Sequence, residues 1–395
     1  MSLVLNLTQT LALAVLVLIL GNIVKNKVSF LRKYFIPTPV VGGLIFAILM
    51  LIGNQTGSWS IELDQTLNDF LLIAFFTATG LLFSVKDLKK TGVIGLKLAI
   101  LIIVLIILQN GIVPLLAPLA GVDPLLGLTM ASMALTGGPG TAAAFGPTLE
   151  SMGIENASLV AISSATYGLV MGSIIGGPVA KYLIKRKKLS SKTAGEALNV
   201  NLSTQVKDLN EKSLTNGTFV ILFSMGLGTL MVLLLNQTGF IWPDYVGGLF
   251  IAAIIRNVFD YSNITIDTKA TTIIGNISLS LFLAVTIMGL EIWNLLNLAV
   301  PMFIFLIIQT IIMALFAIFV IFKVMGKNYD AAVMSSGMSG VGLGSTPNAV
   351  ANMQAVIDEN GPSPNSMIVL PVIVAVFLSA FNPIIITLFI NLFTG

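Results

Sequence analysis

The sequence predicts an all-α polytopic membrane protein with ten transmembrane helices, built as two inverted five-helix repeats that each carry a re-entrant hairpin. Three observations predict it. The 395 residues are 56% hydrophobic and only 9% charged, with a mean hydropathy of +0.99, whereas a soluble domain carries about 25% charged residues. Lys and Arg sort to one side of the membrane once ten spans are drawn. Two glycine-rich, polar segments interrupt the apolar chain at matching places, 204 residues apart.

Apolar runs long enough for a hydrocarbon core of about 30 Å lie near 7–24, 38–54, 68–84, 93–117 and 157–181, then 217–236, 244–259, 271–290, 298–322 and 366–391. The second and seventh are the shortest for the task. No positive charge precedes the first run, and Lys25, Lys27, Arg32 and Lys33 follow it. That is the pattern of a first span with its N-terminus outside, not of a signal peptide. On this topology both termini lie outside a bacterial cytoplasmic membrane, and 19 of the 20 basic residues fall in inner loops. Lys97 is the other, close enough to the inner face to snorkel. The outer loops hold Glu62, Asp64, Asp69, Asp123, Glu150, Glu155, Asp244 and Glu291 and no Lys or Arg. One miscounted span would scatter these charges.

Five spans per half is an odd number, so the second half enters the membrane inverted. The halves are read as 1–185 and 215–395, joined by a polar cytoplasmic linker at 186–214 rich in Ser, Lys and Asn. V-G-G-L-I-F-A-I at Val41–Ile48 answers V-G-G-L-F-I-A-A at Val246–Ala253. Thr77-x-x-Gly80-Leu81 answers Thr286-x-x-Gly289-Leu290, and Gln109 answers Gln309. Small-residue patterns also recur in membrane helices through packing alone, but here they recur in the same order.

The interrupting segments, 124–150 and 330–357, are too broken to cross a bilayer and read as hairpins. Gly and Pro cost about 1 and 3 kcal/mol in a helix interior, and their use here is to bring backbone close to a ligand. The tips are Thr136-Gly137-Gly138-Pro139-Gly140-Thr141 and Ser339-Gly340-Val341-Gly342-Leu343-Gly344-Ser345-Thr346. Entering from opposite faces, they would meet near the midplane, where helix N-termini favour a carboxylate. Candidate substrate-binding residues are therefore Thr136, Gly137, Gly138, Gly140, Thr141, Ser339, Gly340, Gly342, Gly344, Ser345, Thr346 and Asn348. The bland alternative is close helix packing with no ligand. Neutral oxygens suited to a monovalent cation stand nearby: Thr77, Ser163, Ser164, Thr166, Thr286, Asn352, Gln354 and Asn382. Gln109, Asn110 and Gln309 fall inside apolar spans, where an amide must be paired; for Gln109 and Gln309 interhelical hydrogen bonds are the simpler reading.

Much is excluded. With no Cys and no His there are no disulfides, no thiolate metal sites and no nucleophile–base pair, so neither an enzyme nor a cofactor is expected. The positive balance comes from loop lysines and does not indicate nucleic acid. No acid or His falls mid-span, which favours sodium over proton coupling. Asp123 and Asp330 at the hairpin roots read as helix caps. A channel would show rings of charge or one repeated filter, not two unlike tips.

The residues resemble the bacterial sodium–glutamate symporter family over nearly the whole chain. The likeness is carried by P-x-P-V-x-G-G-L at Pro37–Leu44, G-N-x-S-L-S-L-F-L-A at Gly275–Ala284, and G-G-P-V-A-K-Y-L at Gly176–Leu183. Most specific are M-G-K-N-Y-D-A-A-V at Met325–Val333 and G-L-G-S-T-P-N-A-V-A-N-M-Q-A at Gly342–Ala355. The resemblance implies electrogenic glutamate uptake with sodium by a homodimeric inverted-repeat carrier whose hairpin-bearing bundle moves past a scaffold. A carrier of another di- or tricarboxylate is the alternative. Where the family pattern at the first tip is S-G-G-H-G-T, this chain has Pro139 after the glycine pair.

Overall fold

A computed structural model describes residues 2–191, 209–240, 242–262 and 264–394. The central part of the expected linker, 192–208, lies outside the described residues. The protein is all-α, 82% helical, apart from one short parallel pairing of β1 (Ser2–Val4) with β2 (Ser60–Glu62).

A helix forms at each of the ten expected spans. They are α1 (Leu7–Lys27), α2 (Thr38–Thr56), α3 (Asn68–Gly80), α4 (Gly92–Ala120) and α6 (Ala157–Lys187), then α7 (Glu211–Leu235), α8 (Asp244–Tyr261), α9 (Thr268–Met288), α10 (Ala299–Val324) and α13 (Pro364–Thr394). Among the described residues eight of them are long and apolar enough to cross a membrane, so the chain is a multi-pass membrane protein. The two short of that measure are α3 and α8. α3 is 13 residues, about 20 Å at 1.5 Å per residue, and ends at Gly80. α8 carries Asp244, Arg256 and Asp260 within its 18 residues. Exposed apolar stripes run along two of these helices. Val93, Leu96, Ile100 and Ile107 line one on α4, and Val300, Phe303, Ile307 and Ile311 one on α10.

The chain forms two compact units, each drawing on both halves of the sequence: Met1–Leu82, Pro139–Ser163 and Leu209–Val300 in the first, Phe83–Gly138, Ser164–Asp208 and Pro301–Gly395 in the second. The first unit repeats one packing scheme twice. α1 packs on α2 and both pack on α9; α7 packs on α8 and both pack on α3. Each trio encloses an apolar cluster, Ala14, Val17, Phe46, Ala284, Val285 and Met288 in one, and Ile221, Met225, Ala252, Ala74, Ala78 and Leu81 in the other. The repeated V-G-G-L runs make these crossings. A Cβ on Gly43 would sit 2.7 Å from the Ile287 Cβ, and one on Gly248 would strike the Thr77 hydroxyl. Helices this close gain dispersion contact along their backbones.

The second unit contains α4, most of α6, α10, α13 and a helical pair, α11 (Tyr329–Leu343) and α12 (Thr346–Asn360), broken at Gly344-Ser345. α11 and α12 fold back on each other so tightly that a Cβ on Gly340 would lie 2.7 Å from the Ala349 nitrogen. At the equivalent place in the first half the chain is irregular and buried over 129–136, and then α5 (Gly138–Ser151) begins. Gly138 has φ +69°, a conformation that favours glycine. Asp123 caps the short helix Pro124–Leu128 as expected, its Oδ1 accepting from the Leu125 N–H at 2.7 Å. Asp330 does not cap α11. Asn328 does, and the buried Asp330 carboxylate instead accepts from the Ser363 hydroxyl and, at 3.1 Å, from Asn365 Nδ2. Tyr329 donates to the Gly361 carbonyl at 2.6 Å, so the root of the pair is tied to the start of α13.

Candidate functional site

The second unit brings the two broken segments together. A Cβ on Gly138 would be 3.1 Å from the Gly344 carbonyl oxygen, and the Thr136 hydroxyl lies 3.2 Å from the Gly342 carbonyl oxygen. Gln109, mid-way along α4 and fully buried, joins both: its Nε2 donates to the Gly342 carbonyl at 2.7 Å, and its Oε1 accepts from the Thr136 hydroxyl. Gln309 on α10 donates to the Gln109 main-chain carbonyl at 2.9 Å, the interhelical bond expected for it. Backbone carbonyls accept only, which fixes the nitrogen end of both amides.

A second polar node holds the irregular first segment. Ser132 donates from its N–H (3.2 Å) and its hydroxyl (2.9 Å) toward Asn110 Oδ1, and the same hydroxyl lies 2.8 Å from Asn382 Oδ1. Asn382 Nδ2 points back to the Ser132 carbonyl at 3.4 Å. Pairing the oxygens of both amides avoids the 1–3 kcal/mol, roughly, that an unpaired polar group costs in a protein interior, while the Asn110 Nδ2 is buried with no partner among the described residues.

A glycine stripe on α6 seats the second hairpin. Asn348 Nδ2 donates to the Leu169 carbonyl at 2.8 Å and Asn352 Nδ2 to the Gly172 carbonyl at 2.7 Å. The amides reach those carbonyls because a Cβ on Gly172 would be 3.0 Å from the Gly340 oxygen and one on Gly176 would strike Asn352. Ser164 continues this stripe one turn earlier on α6. Its hydroxyl is fully buried and has no hydrogen-bond partner among the described residues.

The expected site residues therefore sort into distinct roles. Thr136, Gly137, Gly138, Ser339, Gly340, Gly342, Gly344, Ser345, Thr346 and Asn348 lie in the second unit, as do Ser164, Thr166, Asn352, Gln354 and Asn382. Gly140 and Thr141 cluster with the first unit, Gly140 facing Leu279 and Phe75, and so do Thr77, Ser163 and Thr286. Thr77 and Thr286 are buried with unpartnered hydroxyls, forgoing the back-bond to their own helix that Thr79 makes at 2.9 Å. Gly342 has a packing role: a Cβ there would meet Leu105 at 2.8 Å and collide with the Met313 sulfur. Gln354 is exposed and donates to Asp358 at 2.6 Å. Sequence reasoning did not reach Ser132, whose partners are 22 and 250 residues away. The mid-span Gln109 and Asn110 were a visible signal, but their spacing did not say what they meet.

What opens outward is the start of α12. Ser345 and Thr346 are half-buried, and no side chain caps this helix. The N–H groups of Thr346 and Asn348 head a 15-residue helix dipole there. Together with the membrane fold, paired broken segments at a helix N-terminus define a carrier-type membrane protein. The comparisons agree. The sodium/glutamate symporter family model matches residues 3–362, and the chain belongs to that family. It is 40% identical over 394 residues to the sodium/glutamate symporter of Escherichia coli K12, covering 97% of each chain. It is 36% identical over 382 residues to that of Haemophilus influenzae, covering 95% of this chain and 94% of the relative.

Proposed function

We infer that this chain is a secondary transporter that carries glutamate across the membrane together with sodium, the glutamate carboxylate resting at the start of α12 where the two glycine-rich tips meet. The carrying observation is the junction of Thr136 and Gly138 with Gly342 and Gly344 inside one compact unit. The uncapped N–H groups of Thr346 and Asn348 suit a carboxylate. The unpartnered Ser164 hydroxyl suits a small hard cation. With neutral oxygens around the tips, a bound cation offsets the charge of the substrate, so the two should bind together.

The finer reading follows. Ten spans in two inverted repeats, 1–185 and 215–395, are supported by the twice-repeated packing of the first unit. The segments 124–150 and 330–357 act as re-entrant hairpins, and access alternates by an elevator-type movement of the hairpin-bearing bundle in a homodimer. The protein resides in a bacterial cytoplasmic membrane with both termini outside. Reconstituted in proteoliposomes, it should accumulate labelled glutamate against its gradient when only a sodium gradient is applied, faster at inside-negative potential. Aspartate, citrate and malate as competitors separate glutamate from other carboxylates. Uptake indifferent to sodium, or displaced better by citrate than by glutamate, would overturn the assignment.

A further inference from the structure

We propose that Gln109 is the positioning residue that holds the two glycine-rich tips in register, so that one buried amide sets the affinity for glutamate and for sodium without touching either. The proposal rests on the reading of the tips as the binding site. It is carried by two hydrogen bonds linking three segments remote in sequence. Gln109 Nε2 donates to the Gly342 carbonyl at 2.7 Å, its Oε1 accepts from the Thr136 hydroxyl, and that hydroxyl lies 3.2 Å from the same Gly342 carbonyl. Gln109, Thr136 and Gly342 are all buried.

The chemistry asks for an amide of this length. One end must donate to a carbonyl and the other accept from a hydroxyl, which an ionised carboxylate cannot do and an alkyl chain cannot do at all. α4 is a firm base for it. Gln309 holds the Gln109 main chain from α10, and Leu105, one turn earlier, packs where a Gly342 side chain would be. The second tip thus lies on the Leu105–Gln109 face of α4, and the first tip is pinned to the same residue. Removing the amide leaves both tips folded on their own helices but free to shift against each other. Because each ligand needs both tips, both affinities should fall together.

The test uses the full chain, purified and reconstituted, with Gln109→Leu, the nearly isosteric Gln109→Glu, Thr136→Val, the double variant Gln109→Leu/Thr136→Val, and Gln309→Leu as a helix-tie control. Glutamate KM and half-saturating sodium are read beside Tm. Gln109→Leu should raise both constants about tenfold, the scale of one lost buried hydrogen bond, and Gln109→Glu should do the same at alkaline pH, where its ionised carboxylate has no proton to donate to the Gly342 carbonyl. The double variant should be no worse than the more affected single, because both act on the Gly342 carbonyl. Gln309→Leu, which loosens the base of Gln109 but leaves its amide in place, should lower Tm and raise both constants by less than either Gln109 variant. Unchanged constants in a folded Gln109 variant, strictly multiplicative effects in the double variant, or a rise in the glutamate constant alone would overturn the proposal. If Gln109→Leu fails to fold, Gln109→Glu decides by the same criteria. Ser345→Ala separates this proposal from the reading it rests on: weakened glutamate binding there with normal Gln109 variants defeats only the register role, and normal binding there defeats the site itself.

Discussion

The two compact units are held together by different physics. In the first, helices cross where glycines let backbones touch, Gly21 on Gly42 and Gly228 on Gly248, with apolar clusters filling each trio. In the second, side-chain amides and hydroxyls reach backbone carbonyls: Gln109 to Gly342, Asn348 to Leu169, Asn352 to Gly172 and Gln309 to Gln109. Of the carbonyls that accept these bonds, Leu169, Gly172 and Gln109 lie within long helices, and Gly342 lies in the last turn of α11, beside the break at Gly344-Ser345. The first unit is thus held mainly by close apolar crossings and the second by buried polar contacts.

That contrast can be broken by substitution. The largest expected effect is Gly43→Leu in the first unit, where the new side chain meets Ile287. Overpacking of this kind costs about 1–3 kcal/mol and more where backbone has to move. Size-exclusion profiles in detergent should show little monodisperse protein, whatever the sodium concentration. Next is Asn352→Leu in the second unit, which strands the hydrogen bond to the Gly172 carbonyl. Interhelical hydrogen bonds in membranes are worth about 1 kcal/mol, so Tm should drop by a few degrees and sodium-driven uptake should fall while the protein still purifies. Ser345→Ala removes a half-buried hydroxyl whose partner is Asn348 Oδ1 at 3.2 Å. It should weaken glutamate binding by several-fold with Tm unchanged.

The smallest effect is expected at Asp64, exposed in the connection before α3, where the Thr66 hydroxyl and then its N–H hold the carboxyl below its usual range. A depressed folded pKa adds stability that is present at neutral pH and is lost as pH falls through it, below about 4. Asp64→Asn should leave uptake at pH 7 unchanged and lower Tm at pH 7 slightly, with no difference from wild type in acid, where the carboxyl is protonated. If it did as much as Ser345→Ala, the ranking of the two units by function would be wrong.

Helix positions were readable from hydropathy, because a bilayer imposes length and apolarity on each span independently of its neighbours. All ten expected segments became helices, and the matched Thr77 and Thr286 motifs each fall at a helix end, Gly80 and Met288. The glycine-rich segments were readable for the same reason, as composition no span would tolerate. Partnership was not readable. Nothing local distinguishes Gly342, whose hydrogen atom faces Leu105 and Met313, from a glycine left open for a ligand. Asp330 looked like a cap because its partners, Ser363 and Asn365, are 33 and 35 residues downstream. The mixing of both halves within each compact unit depends on which helix faces cross, and spacing alone is silent on that.

The most direct test of the account is an equilibrium titration of glutamate into wild-type protein and Thr136→Val, in sodium and again in potassium. The account predicts saturable binding of the wild type in sodium, none in potassium, and an affinity about tenfold lower for Thr136→Val in sodium, the scale of one buried hydrogen bond. Equal binding in potassium, or full affinity in Thr136→Val, would contradict it.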